Sequence, residues 1–220
     1  RGVLPEPDIK LLCVVGSRAC SVYGRRFTQT LIAGLSRYPI GIVSGLALGI
    51  DAEAHKAALD VGLLTLAVLP SSCDEESMYP ASNRALAKRI LARGGALVSE
   101  NKAPFKAMLH SFAERNRIMA GMCAATLIIE AGEKSGTLIT ARLALDYNRE
   151  VLAIPHELGH SSGMGVNRLI KEGATLVRNS DDILESLGLK KREGTIQLSL
   201  PTDLNESEVK ILHALSESLV

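Results

Sequence analysis

The stretch I-G-I-V-S-G-L-A-L-G-I-D-A-E-A-H, from Ile40 to His55, decides how this chain is read. Ile40 to Val43 is a short apolar run rich in β-branched residues, the signature of a buried strand. Ser44-Gly45-Leu46-Ala47-Leu48-Gly49 is a turn of mostly small residues. An Ala-rich helix starts near Ile50-Asp51 and runs to about Val61. Strand, glycine turn and helix start together place unpaired backbone N–H groups and a positive dipole end at one point. Such a point holds an anion. The competing reading is that the glycines serve only close packing at a strand-to-helix corner. Asp51 is awkward for an anion site, because its carboxylate repels phosphate. It either stabilises the first helical turn through the dipole or anchors His55 at i+4.

Working outward, the same alternation continues. Strands are expected at Leu11–Val15, Leu64–Leu69, Ala96–Ser99, Ala125–Ile129, Val151–Ile154 and Ala174–Val177. Helices are expected at Gly24–Arg37, Ser82–Arg93, Ser111–Gly121, Thr137–Tyr147, Val166–Glu172 and Asp181–Leu187. Near-continuous apolar strands alternating with helices call for a parallel sheet covered on both faces. The fold class is therefore α/β: a doubly wound, mostly parallel, Rossmann-like sheet with ligands at the carboxyl ends of its strands. Residues 1–188 form this domain and 189–204 a linker. Residues 205–220 are expected to form an amphipathic helix, the incomplete start of a larger module.

Composition narrows the function. The chain has 220 residues, 46% of them hydrophobic but only 3% aromatic, so its core is aliphatic. The formal net charge is +1, so bulk electrostatics cannot hold a polyanion and any positive charge must be gathered locally. Cys13, Cys20, Cys73 and Cys123 form no C-x-x-C pair and fit free thiols in a reducing cytoplasm. No apolar run reaches membrane-spanning length and no signal peptide is visible. The chain begins without Met, as a fragment of a longer protein would.

Four loops are expected to meet at one edge of the sheet. Gly16-Ser17-Arg18 delivers a guanidinium, and the second loop is the Ser44 to Asp51 turn. The third carries Phe112, Arg115, Asn116 and Arg117; the fourth is Gly132-Glu133-Lys134-Ser135-Gly136-Thr137, which opens a helix. Asn167, Arg168 and Lys171 are candidates for a fifth contribution. Fixed amide donors with bidentate and point charges are what nucleotide phosphates need. Arg115 and Arg117 lie two apart on a helix and diverge, which leaves one of them to pair with Glu114 or Glu100. Phe112 is either a core side chain or a platform on which a base stacks.

Six motifs carry a family resemblance: V-G-S-R at Val15–Arg18, S-G-L-A-L-G-I-D-A-E-A-H at Ser44–His55, Tyr79-Pro80, F-A-E-R-N-R-I at Phe112–Ile118, S-G-T-L-I-T-A-R at Ser135–Arg142 and N-R-L-I-K-E-G-A at Asn167–Ala174. In this order they resemble the bacterial DNA-processing protein A (DprA, also Smf) family over roughly Leu11 to Leu187. The resemblance implies an extended Rossmann fold that binds single-stranded DNA without sequence preference. It also implies a cytoplasmic homodimer that protects incoming DNA and loads the RecA recombinase in natural transformation. Carried over residue by residue, the DNA site comprises Arg18, the turn with Ser44, Gly45, Ala47 and Gly49, then Phe112, Arg115, Asn116 and Arg117. Lys134, Ser135, Gly136, Thr137 and Lys171 complete it. Family members often add a helical N-terminal domain, expected to be missing here. They also often add a C-terminal winged-helix-like domain, of which residues 205–220 would be the incomplete start.

Three other readings weigh less. A nucleotide hydrolase of the phosphoribohydrolase (lysine-decarboxylase-like) type resembles the Gly136-Thr137 turn, but its motif P-G-G-x-G-T-x-x-E ends on a catalytic carboxylate. Here Thr140 stands in that place. His156-Glu157-Leu158-Gly159-His160 fits the zinc pattern H-E-x-x-H, yet it follows Pro155 and contains Gly159, so a loop is expected rather than the required helix. The dinucleotide fingerprint G-x-G-x-x-G is absent after the first strand. No catalytic residue, metal or cofactor is expected.

Overall fold

The computed structural model describes residues 1–190. Beyond Lys190, the expected linker and the terminal helix over 205–220 lie outside the described residues. The strands are β1 (Lys10–Val15), β2 (Ile40–Ser44), β3 (Leu64–Val68), β4 (Ala96–Val98), β5 (Ala125–Ile128), β6 (Glu150–Ala153) and β7 (Thr175–Leu176). The helices are α1 (Val22–Gly34), α2 (Ile50–Asp60), α3 (Arg84–Ala92), α4 (Leu109–Met122), α5 (Thr137–Asp146), α6 (Met164–Lys171) and α7 (Ser180–Ser186). A 3-10 turn at Ala81–Asn83 leads into α3. Each element expected within the described residues is present, with ends within three residues of those expected. The doubly wound α/β reading therefore holds.

The strands form one seven-stranded sheet in the order β4-β3-β2-β1-β5-β6-β7, and every pairing is parallel. Strand side chains alternate between faces. Leu12, Val14, Ile40 and Ile42 pack with Leu31 and Ile32 of α1, Ile50 and Ala54 of α2, and Ile183 and Leu184 of α7. Cys13, Val15, Val43 and Ile128 pack on the other face with Met119 and Ala120 of α4, Ala141 and Ala144 of α5, and Val166 and Leu169 of α6. A third cluster seats Leu86, Ala87 and Ile90 of α3 against Ala67, Leu69 and Leu97. Each fully buried large aliphatic contributes about 1.5–3 kcal/mol of transfer free energy, so these clusters dominate the stability of the sheet.

The connectivity positions the site. The chain runs outward from β1 to β4, then crosses back to place β5 on the other side of β1. Connections leaving β1 and β5 therefore part in opposite directions and open a crevice at their carboxyl ends. The returning crossover carries α4, which lies against β1 and β3 and packs along α5. The face bearing Phe112, Arg115 and Asn116 is thereby brought over the crevice.

Candidate nucleic-acid interface

A cleft of about 400 Å³ occupies that crevice. Gly16, Ser17 and Arg18 line it from the end of β1, and Ala47 and Asp51 from the β2–α2 turn. Leu109, Phe112, Arg115 and Asn116 come from α4, and Ser135, Gly136, Thr137, Ile139 and Thr140 from the start of α5. All four expected loops contribute to one cavity.

Two of those loops are stitched together. The Ile50 N–H donates to the Ser17 carbonyl at 3.1 Å. Gly49 has φ +73°, and a Cβ there would fall 2.2 Å from the Ser17 oxygen and 2.5 Å from that of Arg18. Both the positive φ and the approach of the two backbones require glycine. The glycine turn and the Arg18 loop therefore pack together as one wall.

The turn itself differs from the expectation. Asp51, one residue inside α2, reaches back so that its Oδ2 accepts the Gly45 N–H at 3.1 Å and the Ala47 N–H at 3.4 Å. Two of the amides assigned to an external anion are thus held by the protein's own carboxylate. Its place in the first helical turn agrees with the dipole reading, but the proposed anchoring of His55 does not hold. His55 Nδ1 lies 2.7 Å from Thr65 Oγ1. The Thr65 hydroxyl donates to the Ile42 carbonyl at 2.9 Å, so the proton between the two belongs to His55 Nδ1. Burial, with a smaller contribution from the Arg115 charge, lowers the His55 pKa to about 3 and keeps the ring neutral.

Arg115 forms the floor of the cleft and is only 6% exposed. Its guanidinium donates to the Val68 carbonyl, and a Cβ on Gly45 would fall 2.0 Å from its Nη1. Gly45 is therefore glycine to make room for the arginine. Asp51 acts on it through its charge without a direct ion pair. Burial raises the Asp51 pKa, opposed by Arg115 first and then by the two amides. Burial likewise lowers the Arg115 pKa, opposed by Asp51. The Arg115 Nε is buried and has no hydrogen-bond partner among the described residues. Arg18 stands at the mouth, its guanidinium carbon 5.0 Å from the centroid of the Phe112 ring. Phe112 belongs to none of the core clusters, so the reading of it as a core side chain is set aside.

The remaining expected residues divide. Asn116, Ser135, Gly136 and Thr137 line the cleft as anticipated. Ser44 does not: it is fully buried, its hydroxyl donating to the Val14 carbonyl at 2.7 Å. Arg117 points away, pairing with Glu100 in a separate groove that includes Val98 and Tyr147. The divergence of the two arginines is thus as the helix spacing demanded. Lys134 lies on the far side of its turn, in a second groove with Arg142 and Arg168. Lys171 is exposed at the end of α6 and lines neither. Asn167 is structural, its side chain bracketing His156 through bonds of 3.0 and 2.9 Å, and Arg168 pairs with Glu172 at 3.5 Å.

The H-E-x-x-H string is the expected loop. His156 Nε2 meets the Ile129 carbonyl at 2.8 Å and His160 Nδ1 the Ser162 hydroxyl at 2.9 Å. No group of three or more potential metal ligands occurs among the described residues. Sequence reasoning missed Leu109, Ile139 and Thr140, because apolar and threonine side chains on amphipathic helices read as core. It also missed the carboxylate reaching into the turn. The signal for that was an Asp just inside a helix that follows a glycine turn.

Over residues 1–188 the chain matches the family model described as DNA recombination-mediator protein A. It is 43% identical over 176 residues to the protein Smf of Escherichia coli (strain K12), a match covering 80% of this chain and 46% of Smf. It is 40% identical over 173 residues to the DNA processing protein DprA of Streptococcus pneumoniae, covering 79% of this chain and 60% of that one. The chain spans about half the length of several curated relatives it matches. Among solved structures, DNA processing protein A from S. pneumoniae superposes with a TM-score of 0.75 at 36% identity, covering 84% of this chain and 63% of that one. The Helicobacter pylori counterpart, described for its single-stranded DNA binding mode, gives 0.73 at 30% identity, with 82% and 80% covered. A molybdenum cofactor binding protein from Rippkaea orientalis shares the fold, with a TM-score of 0.58 at 16% identity over 83% of this chain and 98% of that one. Fold, motif order and family match converge: the chain belongs to the DNA recombination-mediator protein A (DprA/Smf) family.

Proposed function

We propose that this chain binds single-stranded DNA without sequence preference in the cleft between β1 and β5. The observation that carries the reading is the pairing of Arg18 with Phe112 at 5.0 Å. A charge suited to a phosphate and a ring suited to a base stand side by side at the mouth of one cavity, above the buried Arg115. Spaced cations with an aromatic platform are the general means of holding single strands regardless of sequence. The H. pylori relative, whose single-stranded DNA binding mode was described, supports the same assignment. On the family resemblance the bound strand would pass to the RecA recombinase during natural transformation, the protein acting as a cytoplasmic homodimer.

The hydrolase reading has no such support. Thr140, in the place of the required carboxylate, is buried at the cleft wall. Asp51 is the one carboxylate among the described residues lining the cleft, and it is engaged with two amides. Steady release of adenine from AMP would restore that reading.

The test is binding of fluorescent oligo-dT across a salt series. A single strand loses roughly 0.7 in log–log slope for each phosphate neutralised. Two cleft arginines and one helix start should therefore give a slope of about −1 to −2. Absence of saturable binding at low salt would end the proposal.

A further inference from the structure

Tyr79 belongs to the Tyr79-Pro80 motif, to which no role was assigned from sequence. It lies on the connection from β3 to α3, between Met78 and Pro80, both buried, yet is itself 47% exposed. Its ring meets Phe112 edge-on, with centroids 5.5 Å apart and planes at 80°. Its hydroxyl has no hydrogen-bond partner among the described residues. The segment is fixed to the cleft wall, because Asn83 donates from its side chain to the Leu46 and Ala47 carbonyls of the β2–α2 turn at 2.8 and 3.1 Å. An exposed aromatic on an anchored backbone, beside the platform ring, is placed to receive a flat ligand.

We propose that Tyr79 is a second base-contacting residue that extends the platform from Phe112 toward β3. This rests on the DNA reading above and adds a path to it. The bound strand crosses the carboxyl edge of the sheet from the β5–α5 turn, past Arg18 and Phe112, to Tyr79. From β5 to β3 the sheet spans three strand spacings, roughly 14 Å. That is several times the roughly 3.4 Å step between stacked bases, so more than one base contacts the edge at once. The occupant is a polynucleotide rather than a single nucleotide for the same reason.

The experiment compares oligo-dT with an oligonucleotide of equal length carrying abasic residues, which keeps the phosphates and removes the bases. It uses the full chain, Tyr79→Ala and Tyr79→Phe, each checked by thermal melting. The expected result is that Tyr79→Ala weakens dT binding roughly five- to hundredfold, the range for losing one base stack. Abasic binding stays unchanged, and Tyr79→Phe behaves as the parent. Because the chain has no tryptophan, Tyr79→Trp adds a single fluorophore whose emission should change with dT and not with the abasic strand. Equal loss on both oligonucleotides, or no loss on either with an indole emission that dT leaves unchanged, would overturn the role of Tyr79 and leave the DNA reading standing. Failure of the parent protein to bind either strand would overturn both.

Discussion

Arg115→Met separates what the cleft floor does for the fold from what it does for a ligand. Methionine keeps much of the side-chain bulk and removes the charge and the bond to the Val68 carbonyl. Asp51 is then buried at 5% exposure with two amides and no nearby buried cation. Stranding the buried Val68 carbonyl and removing the charge that opposes Asp51 should cost about 1–3 kcal/mol. For a domain of this size that corresponds to a melting temperature lowered by about 2–12 °C. Urea unfolding of Arg115→Met, Asp51→Asn and the double variant closes a mutant cycle. The double variant should be less destabilised than the sum of the single ones. Additivity within about 0.5 kcal/mol would show that the two charges do not interact and refute the account of the floor. The pH dependence has a definite sign. Arg115 opposes the upward pull of burial on the Asp51 pKa, so its removal raises that pKa further. A carboxyl raised above its unfolded value of 3.8 stabilises at acid pH, and the stabilisation is lost as pH rises through the folded value. The deficit of Arg115→Met should therefore shrink as pH falls from neutrality.

Gly49→Ala should cost at least about 1–3 kcal/mol in urea unfolding, since φ is positive and the added carbon meets two backbone carbonyls. The neutral buried His55, with its pKa lowered to about 3 from 6.5, holds its full stabilisation above pH 6.5 and loses it as pH falls toward 3. The acid limb should steepen by up to ~1.4 kcal/mol per pH unit in that window, and His55→Gln should flatten it. Arg18→Ala should weaken oligo-dT binding and reduce the salt slope by about 0.7. Arg117→Ala, which removes a residue paired with Glu100 outside the cleft, should leave both unchanged.

The alternation of apolar runs made the sheet legible, because buried parallel strands leave a plain signature. Ile40–Val43 and Ala125–Ile129 were readable as strands from side chains alone. The convergence of loops followed from the fold class, since a doubly wound sheet brings its strand ends together whatever the sequence. Which side chains face the shared space was less legible. Arg115 and Arg117 look equivalent in sequence, and only the helix phase set by burying Met119 and Ala120 puts one beneath the cleft and the other outside. Lys134 sits in the right turn, but a turn gives no periodicity from which to read direction. The reach of Asp51 into the preceding turn escaped because its partners are backbone amides, which the sequence does not distinguish from one position to the next.

The carboxylate lodged in the β2–α2 turn also bears on which cellular anions can compete for this protein. Free nucleotides carry their charge at one end and are commonly caught by amides of the kind that Asp51 already occupies. On the proposed DNA reading, a monomer would find that turn's amides taken and would gain only part of the contacts spread along the rim. On that reading only a chain long enough to touch several loops would collect them all, and an abundant pool of small phosphorylated metabolites would leave the cleft open for a polymer.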